Sequence, residues 1–206
     1  MRLSDIRQAS GERVRIHWRA FPLIPDQQPG RRSTQKTRDG RQRAGGEEPR
    51  AVFVPPPLDT ELPASSLPAL TAAKCAELQG EDLFERFHQE LFVAHFQQNL
   101  DIGRAEVLAA VARQCGLDGP RFHRDFTSGA AYEAVLHDYA EGAAWFGVSA
   151  LPTVIFNEKV SLVGAVPVER YQMLLDWIWA GEPGGLIPIE TATSGGPGQT
   201  AVAPES

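Results

Sequence analysis

Thiol chemistry is the first thing to look for in this chain, and the residues that could supply it are few. Cys75 and Cys115 are the only cysteines among 206 residues, and their spacing fits neither a Cys-x-x-Cys redox pair nor a zinc knuckle. A reactive thiol needs a lowered pKa, supplied by a helix N-terminus or a neighbouring cation. Cys115 instead falls at the end of a predicted helix, where the negative end of the dipole acts the other way. It shares a helical face with Leu108 and Val111, so it reads as core. Cys75 lies mid-helix beside Lys74 and Glu77, without a clear activating group. The five histidines, His17, His88, His95, His123 and His137, show no H-E-x-x-H or other metal spacing. His88 and His95 lie on one helix, and amphipathic placement beside Phe84 and Leu91 accounts for them. Trp145, Trp177 and Trp179 read as packing residues. No catalytic residue, metal ligand or cofactor follows from these types and spacings.

Composition narrows the class. The net charge is -6 and the pI about 5.4, which argues against a nucleic-acid partner, since neutralising phosphates needs a basic surface. No apolar run approaches the ~18–20 residues of a membrane span, and no apolar core follows the charged start Met1-Arg2-Leu3-Ser4-Asp5 as in a signal peptide. The expected location is the cytoplasm, where a structural disulfide would be unusual.

The elements that must position any site come in blocks. Val14-Arg15-Ile16-His17-Trp18-Arg19 alternates apolar and polar residues, the period of a half-buried strand, and Pro22 and Pro25 end it. Residues 27–66 lose periodicity. Arg31, Arg32, Lys36, Arg38, Arg41 and Arg43 stand among Gly, Gln, Ser and Thr, and Pro55-Pro56-Pro57 follows. Too little apolar surface is present to offset ordering entropy, so this basic, proline-rich insertion is expected to be disordered. It lacks the interleaved aromatic residues of a single-strand binder. Residues 67–146 read as five helices: 68–79, 81–98, one capped by Asp101, a short one with Pro120 at its first position, and 130–146 with Tyr132, Val135, Leu136 and Tyr139. Thr153-Val154-Ile155-Phe156 and Val160-Ser161-Leu162-Val163 form a hairpin across Asn157-Glu158-Lys159. A last helix after Pro167 carries Val168, Tyr171, Leu174, Leu175 and Ile178, and 181–206 is expected to be a disordered tail.

Gly147-Val148-Ser149-Ala150-Leu151-Pro152-Thr153-Val154-Ile155-Phe156-Asn157, followed by Gly164-Ala165, resembles the C-terminal strand–hairpin–helix part of the DsbA family. Ala73-Lys74, Glu81-Asp82-Leu83-Phe84, Phe96, Asp101-Ile102 and Gly116-Leu117-Asp118 resemble its inserted helical subdomain. Val14 to Pro25 is similar to the second strand and following turn of the cytoplasmic, polyketide-biosynthesis-type branch. The resemblance implies an α/β, thioredoxin-like fold with an inserted helical subdomain. It divides the chain into a remnant of the N-terminal part (1–26), the insertion (27–66), the helical subdomain (67–146), the C-terminal part (147–180) and the tail. It also implies a cis Leu151-Pro152 bond, and a substrate-binding loop of Leu151, Pro152 and Thr153 for a peptide or thiol substrate.

The same resemblance exposes a gap. The family's Cys-x-x-Cys lies between a first strand and first helix. Here Met1 to Ser10 resembles only the end of that helix, and Val14 already belongs to the second strand, so the first strand and most of the first helix lack a counterpart. That strand is central in the family's sheet, and each lost buried side chain forgoes roughly 1.5–3 kcal/mol. The expectation is a DsbA-like thiol–disulfide oxidoreductase, truncated or inactive in this form, with Met1 a misassigned start. Two alternatives stand beside it. One is a glutathione-dependent relative of the kappa-class transferase and 2-hydroxychromene-2-carboxylate isomerase kind, with glutathione as cofactor. The other is a non-catalytic peptide-binding module, an oligomer among its forms, whose open sheet edge recruits a strand.

Overall fold

The computed structural model describes residues 2–182 of the chain. The expected tail from 183 onward lies outside the described residues. The described residues fall into two compact units, 17–145 and a second built from 2–16 with 146–182.

The unit His17–Trp145 is helical. Its helices are α2 (Gln35–Glu47), α3 (Leu67–Glu77), α4 (Glu81–Phe92), α5 (Ala105–Gln114), α6 (Gly119–Thr127) and α7 (Ala130–Ala144). Periodic apolar residues on α3–α7 close one core, in which Ala72, Cys75, Phe87, Leu108, Phe122 and Ala131 are buried. Helix α4 continues into a π-helical turn, Val93–Gln97, so the 81–98 segment is one helix with an irregular end. The expectation that Asp101 caps α5 is not met; its Oδ1 accepts the Gly103 N–H at 2.8 Å, and Arg104 takes the N-cap position. Asp118 caps α6 through the Arg121 N–H, with Pro120 in the first turn. On α7, Val135 is buried but Tyr132 and Leu136 are exposed, and Trp145, expected to pack, is 84% exposed.

The expected disorder of 27–66 is overturned, and its arginines are the reason. Gln28, Ser33 and Leu62 N–H groups donate to Ala64, Thr60 and Arg31 carbonyls, so 28–33 and 59–64 run side by side, with an antiparallel bridge between Arg32 and Glu61. Helix α2 starts at a capping box in which Thr34 and Thr37 each accept the other's backbone N–H. Guanidinium groups then serve the carbonyls of the proline-rich stretch: Arg31 donates to Pro63, Arg32 to Asp59, Arg38 to Pro56 and Arg41 to Val54. Prolines cannot donate to a ladder, so the carbonyls around them accept well from side chains. Arg41 is buried and also bonds Asn99. Order here comes from charge-assisted hydrogen bonds, which a hydrophobicity argument does not register.

The second unit holds α1 (Arg2–Ser10), a 3-10 turn (Gly11–Arg13), the strands β1 (Thr153–Phe156) and β2 (Val160–Val163), and α8 (Val168–Trp179). The strands pair antiparallel in the register Thr153–Val163, Val154–Leu162, Ile155–Ser161 and Phe156–Val160. Asn157 and Glu158 at the turn have φ of 46° and 59°, the left-handed pair that lets a tight turn match strand twist. Ile6, Leu162, Val166, Tyr171, Leu174 and Leu175 form this unit's core, with Val14, Val154, Phe156, Trp177 and Ile178 packed against it. Trp179 is more than a third exposed and lies under the Arg13 guanidinium, 4.0 Å from the ring centroid. The expected strand over Val14–Arg19 is extended at Val14 but joins no ladder, because the described residues offer it no partner strand.

Candidate functional site

The loop Gly147–Pro152 leads into β1, and its backbone sets the geometry. Gly147 has φ of 60°, and the Leu151-Pro152 peptide is cis. Thr153 anchors the loop by donating its Oγ1 hydrogen to the Ala150 carbonyl at 2.7 Å. The Pro152 carbonyl accepts the Gly164 N–H at 2.7 Å, joining the loop to the residue after β2. Leu151, the residue before the proline, is 39% exposed. Leu151, Pro152 and Thr153 therefore form one continuous, mostly accessible segment with an apolar side chain at its centre and uncharged residues on both sides.

Cys75 and Cys115 are free and buried, both in the helical unit. Burial, reinforced by Asp125, pushes the Cys75 thiol up to about 12. Burial followed by Glu90 also raises Cys115. Both are buried, and burial disfavours the thiolate that a nucleophile needs.

Of the histidines, His88 and His95 pack against aromatic rings. His88 sits 4.9 Å from Trp18, 5.3 Å from Phe84 and 4.9 Å from Phe92, ring to ring. Burial pushes its pKa down. Burial and then the Arg41 guanidinium lower His95 to about 4. A residue the sequence reading passed over is Asp138, buried in the helical unit. Its carboxylate accepts from Arg19 at 3.0 Å, Lys74 at 2.8 Å and the Ala20 N–H at 2.9 Å. Burial opposes its charge, but Lys74 and the other donors win and hold the carboxyl below its usual range. His137, Asp138 and Glu141 bring ligand-type atoms within 4.8 Å of one another, yet the Asp138 oxygens are committed to these donors, and Asp138 and Glu141 share Arg19 as an ion-pair partner. An acidic residue on a predicted helix gave no signal by itself; only the fold brings Arg19 and Lys74 to it.

The comparisons with known proteins define the class. The DSBA-like thioredoxin domain matches residues 1–176, so the chain belongs to that family. Its fold is the thioredoxin-like DsbA fold, helix-rich with a small two-stranded sheet. A protein of Nitrosomonas europaea, described provisionally as a protein disulfide isomerase, superposes with a TM-score of 0.68 at 18% identity, over 89% of this chain and 90% of that one. Among curated relatives, the ClpXP adapter protein SpxH of Shouchella clausii is 33% identical over 59% of this chain and 41% of its own length. The SpxH proteins of Bacillus licheniformis and Halalkalibacterium halodurans are 32% and 28% identical over 61% and 58% of this chain. The chain thus spans about two-fifths of the length of these curated relatives. No helix among the described residues is long and apolar enough to cross a membrane.

Proposed function

We propose that this chain is a DsbA-family binding module that holds a peptide or thiol-bearing protein at Leu151, Pro152 and Thr153 without using a thiol of its own. One contrast carries the reading: the accessible loop presents Leu151 to solvent, while both cysteines are buried with raised pKa values. Thiol–disulfide exchange requires a thiolate that can reach its partner. Neither thiol meets that condition. The name of the curated relatives, adapter, describes a binding role and supports the same reading. Two free thiols suit a reducing compartment such as the cytoplasm.

The second reading, a disulfide oxidoreductase, draws on the structural likeness to a provisional disulfide isomerase. Insulin reduction by dithiothreitol separates the two, together with binding of a reduced, carboxymethylated unfolded protein that offers no thiol. The expected result is no acceleration of insulin reduction and saturable binding of the unfolded protein. Leu151→Glu should weaken that binding, and the pair Cys75→Ala with Cys115→Ala should leave it intact. Catalysed insulin reduction that disappears in the cysteine pair variant would return the chain to thiol chemistry. Thermal stabilisation by glutathione would move it to the glutathione-dependent reading.

A further inference from the structure

The outer edge of β1 is built to hydrogen-bond. The Gly164 N–H to Pro152 carbonyl bond and the strand register make Val154–Leu162 and Phe156–Val160 the hydrogen-bonded pairs of the hairpin. Thr153 and Ile155 therefore send their N–H and C=O groups to the opposite edge, where no strand pairs with them among the described residues. The sequence of β1 is that of an inner strand, Thr-Val-Ile-Phe, yet all four of its residues are only half-buried. By contrast, Leu162 on the neighbouring strand is buried. A two-stranded hairpin is marginal by itself, whereas a third strand makes a sheet independently stable.

A second extended segment of the same unit bears on the same place. Val14 has φ of -126° and ψ of 126°, and Val14 and Ile16 are half-buried while Arg15 between them is exposed. Val14 and Val154 pack against the same core, and neither segment has a strand partner on its remaining edge among the described residues.

We propose that the free edge of β1 accepts a strand in trans, an extended and uncharged segment of another polypeptide with apolar residues at alternate positions. The chemistry of the occupant follows from what it must meet. Its backbone pairs with Thr153 and Ile155, and every second side chain joins Val14, Val154 and Phe156 against the core. Residues 147–156 carry no charge, so a charged strand gains nothing there and loses hydration. A second copy of this chain is the less suited occupant, since each copy carries a net charge of -6. The strand site is the backbone edge and stands apart from the Leu151 side chain, so the two readings fail separately.

The test uses the full chain and a labelled peptide whose core alternates threonine and valine, flanked by lysines for solubility. Binding is followed by anisotropy and amide hydrogen exchange. Bound peptide should slow exchange at Thr153 and Ile155 by about tenfold or more and leave Val154 and Phe156, already paired to β2, unchanged. A peptide N-methylated at every second amide, so that one of its edges cannot donate, should bind at least about tenfold more weakly. Ile155→Pro removes an outward N–H while sparing the ladder to β2, and should also abolish binding. Ser161→Ala, at an exposed position of β2 outside the loop, should retain it. Binding with no change at the Thr153 and Ile155 amides would overturn the proposal. So would slow exchange at those amides without peptide in a protein that sediments as a dimer, since the second copy would then hold the edge.

Discussion

The two units reach stability by different routes. In His17–Trp145 the helices close a core around Phe87, Leu108 and Phe122, and the buried polar groups are largely answered: Asp138 by Arg19 and Lys74, Arg41 by Val54 and Asn99. The unit of α1, the hairpin and α8 also has a core, around Leu174 and Leu175, but it keeps a strand whose residues are all half-buried and whose outer edge has no strand partner among the described residues. A unit that satisfies its own backbone and apolar surface offers little to a partner. A unit with an unpaired strand edge and an accessible loop has something to offer. Both proposed recognition sites, the Leu151 loop and the β1 edge, belong to this second unit.

The contrast breaks most visibly by emptying the closed core. Phe87 has no exposed surface and contacts the Phe122 ring at a centroid distance of 6.0 Å. Phe87→Ala is expected to cost about 3–5 kcal/mol, since neighbouring helices collapse only partly onto the void. Urea denaturation followed by circular dichroism measures it. A loss below 1 kcal/mol would mean the helical core is loosely packed and the distinction between the units is wrong.

Next in size is the polar seam of the 27–66 segment. Arg41→Met keeps the aliphatic stem but leaves the Val54 carbonyl and Asn99 without their guanidinium donor. The expected cost is about 2 kcal/mol, the penalty for buried acceptors left unpaired. Limited proteolysis should show cleavage opening between 27 and 66 while α3–α7 stays protected. Uniform protection in the variant would show that the segment is ordered by something other than its arginines.

This segment also shows where sequence and structure part. The helices α3 to α8 and the hairpin were legible because period and punctuation agree: Thr153–Phe156 and Val160–Val163 stand where their β-branched runs place them. The resemblance carried by Gly147 to Asn157 and Gly164-Ala165 was enough to assign the family. The order of 27–66 was not legible, since arginine-to-carbonyl bonds leave no periodic trace. Asp138 was missed for a related reason, its partners Arg19 and Lys74 being far away in sequence. The strand expected at Val14–Arg19 failed because a period of two describes a half-buried chain and says nothing about a hydrogen-bonding neighbour.

A smaller effect comes through pH and stays within the closed unit. An unperturbed imidazole titrates near 6.5. Burial and Arg41, with a lesser contribution from Arg31 and against the pull of Asp101, hold folded His95 to about 4. Between these values the unfolded chain binds the extra proton, so this contribution is full above pH 6.5 and is lost as pH falls toward 4. The Asp138 contribution has the same sign but a lower window, beginning only below about pH 4, where an unfolded aspartate takes its proton. The urea midpoint should therefore already drop between pH 7 and pH 5, and His95→Gln should flatten that part of the curve. An unchanged slope in the variant would assign it to other groups.

The smallest effect is the sharpest test of the open unit, because it asks which face of the hairpin is already covered. Val163 follows Leu162 on β2 but points to the other face, and half of its surface is exposed while Leu162 is buried. It shares that face with Thr153, Ile155 and Ser161, and neither Ile155 nor Val163 belongs to the unit's core. Val163→Thr trades a methyl for a hydroxyl that water can serve, so stability should stay within about 0.5 kcal/mol. The same change at a covered position would bury an unpaired hydroxyl at about 1–3 kcal/mol. A loss in that range by urea denaturation would mean that the outer face is sealed, and the unit would then be as closed as its helical counterpart.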